Sequence, residues 1–216
     1  MEQSEQPGWV LALHSSSEVL AVAVQPLGRP EIPPRSQAFP LGRQLANALL
    51  PCVEEVLPAR EWRNLARLAV ATGPGGFTGT RLTVAMARTL AQQLALPLDG
   101  FSSFHLIARR LLGSEAVESP LILIQELPRH GLVAGLYQRE ASTIAGVAEL
   151  WAPRLWRDEG ALTEALGHHA RQPAQTQLPE DAKELLAFSQ EAARLGRIGP
   201  WAPVVPHYPT SPVGGP

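Results

Sequence analysis

The N-terminal half of the chain alternates between hydrophobic runs and short polar or glycine-rich segments. Two runs rich in valine and leucine, over 9–13 and 19–24, flank the polar segment 15–18, and this pattern predicts a β-hairpin. The runs are hydrophobic at nearly every position, which indicates strands that are covered on both faces. Residues 26–40 contain five prolines, which allow at most an irregular edge strand.

Hydrophobic residues at helical spacing predict two helices, over 41–57 and 80–96, with a short buried strand over 65–71 before the second helix. One stripe of the first helix is formed by Leu45, Leu49, Val53 and Val56. Pro51 lies inside this helix, where its missing N–H predicts a kink.

The C-terminal half has a weaker pattern, and its stretch 140–175 is ambiguous. We predict strands over 121–125 and 132–137, and helices over 104–112, 159–169 and 180–195. The inner face of the last helix is predicted to consist of Leu185, Leu186, Phe188, Ala192 and Leu195. Gly196 follows that helix and suits its C-terminal cap.

The order of these elements predicts a mixed α/β chain in two lobes, with a boundary near residue 100: an N-terminal lobe, 1–100, and a second lobe, 101–216. Residues 1–8 are expected to form a frayed tail. Residues 198–216 carry six prolines and are expected to be extended at best, either docked on the second lobe or free.

Composition narrows the functional classes. The net charge is −2, so no excess of basic residues favours independent binding to nucleic acid. The single cysteine, Cys52, lies among hydrophobic residues and is expected to be buried; a reducing compartment fits it best. We find neither a signal peptide nor a hydrophobic run long enough to span a membrane, and therefore expect a cytoplasmic protein.

The strongest local feature is a glycine-rich segment between the strand at 65–71 and the second helix. It consists of Gly73, Pro74, Gly75, Gly76, Phe77, Thr78, Gly79, Thr80 and Arg81. Free N–H groups at a helix N-terminus can hold an anion, and Thr78 or Thr80 could cap this helix. The segment lacks the lysine of a P-loop and the glycine spacing of a dinucleotide site, so spacing alone favours a tight structural turn.

The helix after this segment carries very little charge. Over 82–96 the only charged residue is Arg88. A helix that is apolar or small nearly all round is covered on more than one side. Either the helix at 41–57 and the second lobe provide that cover, or another subunit does.

The glycine-rich segment resembles the TsaB (YeaZ-like) family. The family signature G-x-G-P-G-S-F-T-G-x-R is matched by residues 72–81, with Gly76 in place of the serine. Residues 11–17 are similar to the first hairpin of that family, 45–55 to its first helix, and 97–104 to the segment that follows its second helix. The similarity is good over about 9–112 and weak beyond.

The resemblance implies an actin-like (ASKHA, ribonuclease H-like) α/β fold with a reduced second lobe. It also implies a non-catalytic partner of a TsaD-like paralogue and a TsaE-like ATPase in making N6-threonylcarbamoyladenosine in tRNA. The chain would contact tRNA only through the complex and would pair with itself when alone. No cofactor and no metal site is expected.

In that family the first two helices form the surface that pairs with the paralogue. We therefore expect an interface formed by Leu45, Leu49, Val53, Leu82, Ala85, Met86, Thr89 and Gln93. The alternative is an enzyme of the same fold, either a nucleotide-binding hydrolase or a glycoprotease-like peptidase.

Two departures from the family weaken a catalytic role. The aspartate of the first hairpin is replaced by His14, and a neutral imidazole is a poor ligand for Mg²⁺. The I-D-A-R segment of the second lobe is replaced by residues 124–129, where the aspartate is lost or shifted to Glu126.

The sequence gives little support for a metal site, a serine nucleophile or an RNA-binding surface. The six histidines include no metal-binding pair at helical spacing. Ser15, Ser16 and Ser17 beside His14 are better explained by a turn than by a nucleophile and its base. Trp151 and Trp156, with Arg154 and Arg157, either form a basic aromatic surface for RNA or pack locally; we favour packing.

Overall fold

The computed structural model describes residues 8–128 and 130–209, and the predictions for 1–7, Arg129 and 210–216 lie outside this part of the chain. The strands are β1 (Trp9–His14), β2 (Val19–Pro26), β3 (Arg35–Pro40), β4 (Leu65–Ala71), β5 (Leu98–Phe101), β6 (Leu121–Leu127), β7 (Gly131–Arg139), β8 (Val147–Trp156) and β9 (Ala170–Pro173). The helices are α1 (Leu45–Val56), α2 (Phe77–Leu94), α3 (Ser103–Leu112), α4 (Glu159–Leu166) and α5 (Glu180–Arg194).

The first sheet has the strand order β3-β2-β1-β4-β5. β1 and β2 form the predicted antiparallel hairpin, and β3 pairs with β2 at the edge as expected from its prolines. β4 and β5 then add parallel to β1, so their C-terminal ends meet at one edge of the sheet. The glycine-rich segment leaves β4 at this edge.

Helices cover both faces of the first sheet, which confirms the prediction from its continuous hydrophobic strands. Leu11 and Leu13 of β1 belong to a core shared with α1 and α2. Val10 and Ala12 face the other way, into a core shared with α5. The last helix thus packs against the first sheet, although it lies in the segment that we assigned to the second lobe. The boundary near residue 100 stays a prediction.

The second sheet has the order β8-β7-β6-β9. β6 and β7 form the predicted antiparallel pair, whereas the pattern did not identify β8 and β9. β8 is mostly exposed and therefore lacks a hydrophobic run, and β9 has only four residues. Among the described residues, no helix is long and hydrophobic enough to cross a membrane.

Several boundaries differ from the sequence-based expectations. α2 begins at Phe77, before the expected start at Thr80. α4 ends at Leu166, before His168 and His169. Leu195 is 51% exposed and does not belong to the inner face of α5. Gly196 does end that helix: its φ is +70°, and its N–H and that of Arg197 donate to the last turn.

A buried ion pair joins β4 and β5, the two parallel strands that lie beyond β1 in the first sheet. The Nε and Nη2 atoms of Arg67 on β4 donate to the carboxylate of Asp99 on β5 at 2.6 and 2.8 Å. Ser189 of α5 donates to the same carboxylate at 2.6 Å. Arg67 also donates to the carbonyl oxygen of Arg197, beyond α5, at 3.0 Å. One pair therefore connects β4, β5, α5 and the chain that follows α5.

Candidate functional site

The glycine-rich segment folds tightly onto the turn between β1 and β2. The N–H of Gly76 donates to the carbonyl oxygen of Ser16 at 2.7 Å. A Cβ atom at Gly75 would lie 2.1 Å from that oxygen, and one at Gly79 would lie 2.7 Å from the carbonyl oxygen of Ser15. These glycines are needed because two backbone segments touch. The structural turn favoured by the spacing fits this packing better than a phosphate cradle does.

The start of α2 differs from the predicted capping. Gly76 is the N-cap and provides no side-chain hydrogen bond, and the N–H of Thr80 donates to its carbonyl oxygen at 3.0 Å. Thr78 and Thr80 are therefore helical residues rather than caps. Thr80 is buried, and its hydroxyl has no hydrogen-bond partner among the described residues.

The serines of the β1–β2 turn hold neighbouring helices. The hydroxyl of Ser15 shares a hydrogen bond of 2.7 Å with Thr83 of α2. The hydroxyl of Ser16 shares one of 2.6 Å with Ser103 of α3. Both serines are buried, so the structure uses them to position helices and does not present them as nucleophiles.

His14 occupies the position at which the family has an aspartate, and its side chain is completely buried. Its Nδ1 atom accepts from the N–H of Ser16 at 3.4 Å, and its Nε2 atom has no partner among the described residues. Burial lowers the pKa of His14 from 6.5 to about 3, so the imidazole is neutral at physiological pH. A neutral imidazole that is buried beneath the β1–β2 turn is not a suitable ligand for a magnesium-bound phosphate.

Acidification should destabilise the protein partly through His14. In the unfolded chain the imidazole of His14 binds a proton near pH 6.5, whereas in the folded chain it does so only near pH 3. The contribution of the neutral imidazole to the free energy of unfolding is therefore fully present above pH 6.5 and is lost as the pH falls towards 3. The loss approaches 1.4 kcal/mol per pH unit, as an order-of-magnitude upper limit. His14→Asn keeps an acceptor near Nδ1 but does not titrate. Urea unfolding between pH 7 and 4 should show the stabilities of wild type and variant converging; parallel curves would contradict this.

The remaining candidates for metal binding do not form a site either: His105 has a structural partner. The Nε2 atom of His105 lies 2.9 Å from the carbonyl oxygen of Val147, and burial lowers its pKa. Within 8–128 and 130–209, no three His, Cys, Asp or Glu side chains cluster as metal ligands would. Glu126, the candidate replacement for the family aspartate, is exposed on β6, and Arg129 lies outside the described residues.

The aromatic residues of β8 pack locally. The guanidinium group of Arg154 lies 4.2 Å from the ring centre of Trp151 and 4.1 Å from that of Trp156. The indole of Trp156 donates to the carbonyl oxygen of Ala134, and Arg157 pairs with Asp158. This packing supports the local alternative over an RNA surface.

The structure corrects part of the expected interface. Leu45, Leu49 and Val53 are 6%, 7% and 0% exposed, because the hydrophobic stripe of α1 faces the chain's own core. They therefore offer almost no surface to a partner. On α2, Ala85, Thr89 and Gln93 are exposed, whereas Leu82 and Met86 are half-buried.

Hydrophobic residues that the prediction omitted lie exposed on the same two helices. Leu50 of α1 is 49% exposed, and Leu94 of α2 is 40% exposed. Ala46 and Pro51 of α1 are also exposed. Their positions between the residues of the inner stripe of α1, and at the end of α2, were visible in the sequence. We call the exposed surface of these residues together with Leu82, Ala85, Met86, Thr89 and Gln93 the α1–α2 face.

The segment 197–208, which we call the C-terminal strap, packs on the first sheet and on α2. The carbonyl oxygen of Gly199 accepts from the N–H of Leu98 at 2.7 Å, and the N–H of His207 donates to Thr72 at 2.7 Å. The His207 ring reaches the second sheet, with Nε2 2.6 Å from the carbonyl oxygen of Pro153. The strap therefore docks mainly on the N-terminal half of the fold, and not on the second lobe alone.

Two solved structures share this fold over almost the whole chain. The crystal structure of an uncharacterized protein from Pseudomonas aeruginosa with similarity to peptidase YEAZ gives a TM-score of 0.72 at 20% identity, covering 93% of this chain and 99% of that one. YeaZ from Pseudomonas aeruginosa gives 0.70 at 19% identity with the same coverage. The chain has the actin-like (ASKHA) fold, which confirms what the family resemblance implied.

Sequence comparisons then give the family. The family model described as TsaD, tRNA N6-adenosine threonylcarbamoyltransferase, matches residues 41–161, more than half of the chain. The tRNA threonylcarbamoyladenosine biosynthesis protein TsaB of Bacillus subtilis (strain 168) is 34% identical over 76 residues, and that of Buchnera aphidicola subsp. Schizaphis graminum (strain Sg) is 31% identical over 64. The chain belongs to this family as a TsaB (YeaZ-like) member, which confirms the resemblance.

These two sequence matches are local. They cover 35% and 29% of this chain and 32% and 30% of the two relatives, so the chain matches about a third of the length of each curated relative.

Proposed function

We propose that this chain is a non-catalytic subunit in the synthesis of N6-threonylcarbamoyladenosine in tRNA, and that it pairs through the α1–α2 face with a TsaD-like catalytic paralogue. The observation that carries the proposal is the exposure of this face. Leu50 on α1 and Leu94 on α2 are exposed hydrophobic residues, and α2 contains no acidic residue. Exposed hydrophobic residues on helices with little charge are typical of a protein–protein interface.

The geometry around His14 supports a role without catalysis. The imidazole is buried and neutral, and the hydroxyls of Ser15 and Ser16 form hydrogen bonds with side chains of α2 and α3. The glycine-rich segment packs directly against the β1–β2 turn, which leaves no room there for a phosphate. We propose that a TsaE-like ATPase joins the complex and that tRNA is contacted only through it. We further propose that the chain is cytoplasmic and pairs with a second copy when the paralogue is absent.

Mixing the purified chain with the TsaD-like protein of the same organism should give a single complex by size-exclusion chromatography with light scattering. Leu50→Lys should weaken the association at least about tenfold, because it places a charge within the apolar contact. The matched control is Leu195→Lys: Leu195 is 51% exposed and directly follows α5, which packs on the opposite face of the first sheet. This control should bind normally.

Two outcomes would contradict the proposal. Chain and paralogue could remain separate at micromolar concentrations, or both lysine variants could bind equally well. A clean preparation of the isolated chain that hydrolyses ATP or a peptide, and loses this turnover in His14→Asn, would instead support an enzyme of the same fold.

A further inference from the structure

A groove runs beside the α1–α2 face, between α2 and the C-terminal strap. One wall is formed by α2 and the other by the strap, and the groove has a volume of about 390 Å³. Its main lining residues are Arg81, Ala85, Arg88, Thr89, Trp201 and Pro206. We call it the α2–strap groove. Ala85 and Thr89 belong both to this groove and to the α1–α2 face, so the two surfaces are continuous.

The strap wall is fixed by contacts with α2 and β5. Arg88 donates from Nη1 to the carbonyl oxygen of Val204 at 3.1 Å, and its guanidinium group lies 5.5 Å from the ring centre of Trp201. The carbonyl oxygen of Gly199 accepts from β5, as described above. These contacts hold the strap in place beside α2, and Trp201 forms part of the strap wall of the groove.

Among the described residues, the groove is lined by two arginines and by no carboxylate. Arg81 and Arg88 are seven residues apart, which puts them on one side of α2, about 10 Å apart along the helix. Neither forms an ion pair with a carboxylate in the part of the chain that the structure describes. Arg81 is exposed and stacks on Phe77, with 5.1 Å between guanidinium carbon and ring centre.

We propose that the α2–strap groove receives carboxylate side chains from the partner subunit, an inference that rests on the proposed function. An apolar partner would desolvate two guanidinium groups without replacing their hydrogen bonds. Aspartate or glutamate side chains of the partner supply acceptors that suit the planar fork of arginine.

The positive charges of Arg81 and Arg88 also bear on whether the groove faces an acidic partner or a second copy of the chain. The α2 helix of a second copy brings two further arginines and no carboxylate. If two grooves face each other across a twofold axis, like charges meet, which disfavours the contact. In that arrangement the groove favours the acidic partner over a second copy, whereas the α1–α2 face alone does not discriminate between them.

The test measures the affinity of the full chain for the TsaD-like protein. Arg81→Glu should weaken binding about tenfold or more, and Arg81→Gln should reduce the salt dependence of the dissociation constant. Arg194→Glu is the matched control, because Arg194 is exposed on α5, against the opposite face of the first sheet, and undergoes the same change of charge. Thermal unfolding of all three variants should match wild type.

The outcomes separate this inference from the proposed function. If the complex forms and Leu50→Lys weakens it, but Arg81→Glu does not, the groove proposal is wrong and the proposed function stands. Equal losses for Arg81→Glu and Arg194→Glu would also overturn the proposal, because the effect would then reflect net charge alone. If no complex forms, both proposals fail.

Discussion

Asp99→Ala should lower the free energy of unfolding by about 3–5 kcal/mol, because it leaves Arg67 charged, buried and unpaired. The side chains of Arg67 and Asp99 are only 4% and 6% exposed. The substitution also removes the acceptor of Ser189 on α5. Since a domain of this kind is stable by about 5–15 kcal/mol in total, we expect a large fall in the urea midpoint.

Two further variants show whether the unpaired charge causes this loss. Asp99→Leu combined with Arg67→Leu removes both charges and should cost less than Asp99→Ala alone. Glu180→Ala breaks an exposed pair with Lys183 and should cost no more than about 0.5 kcal/mol. If Asp99→Ala were as mild as Glu180→Ala, the buried pair would not hold β4, β5 and α5 together.

The buried ion pair also shows where sequence reasoning stops. The hydrophobic runs of β1, β2 and β4 were visible because strands covered on both faces need apolar residues at nearly every position. β5 has only four residues and includes the charged Asp99, so it has no such run. Its charge is tolerated only because Arg67 stands on the neighbouring strand, 32 residues earlier. No local pattern reports such a partner.

Three residues of the interface expected on α1 proved to be buried for a related reason. Helical periodicity shows that Leu45, Leu49 and Val53 share a face, but it does not show what that face contacts. The most hydrophobic face of a surface helix packs on its own core, and the structure buries all three there. The residues left for a partner, such as Leu50, were visible in the sequence between those of the inner stripe, but their exposure was known only once the structure had defined the core.

The strap could not be predicted because its residues lack any periodicity. Segment 197–208 is rich in proline and forms neither helix nor strand, and its position depends on single contacts with residues more than 100 positions away, such as Arg88 with Val204. The glycine-rich segment, in contrast, was located correctly from its composition. The reason for its glycines came only from the structure, since Ser15 and Ser16 lie about 60 residues earlier in the chain.

Gly75→Ala should therefore be the most damaging small substitution in this segment, lowering the free energy of unfolding by roughly 2–4 kcal/mol. Its Cβ atom would lie 2.1 Å from the carbonyl oxygen and 2.5 Å from the Cβ atom of Ser16. Neither obstacle is the end of a flexible side chain, so the loop and the β1–β2 turn must move apart. The hydrogen bond from Gly76 to Ser16 would be strained by the same movement.

The adjacent glycine provides the control, because the family carries serine at its position. Gly76 has an ordinary φ of −55°, and a Cβ atom there would meet the carbonyl oxygen of Ser17 only at 3.3 Å. As the N-cap of α2, a serine could accept from a free N–H of the first turn, so Gly76→Ser should be neutral or stabilising by a few tenths of a kcal/mol. Urea unfolding compares both variants with wild type. Equal destabilisation by Gly75→Ala and Gly76→Ser would mean that the segment resists any side chain, and that the close approach to Ser16 is not what requires glycine at position 75.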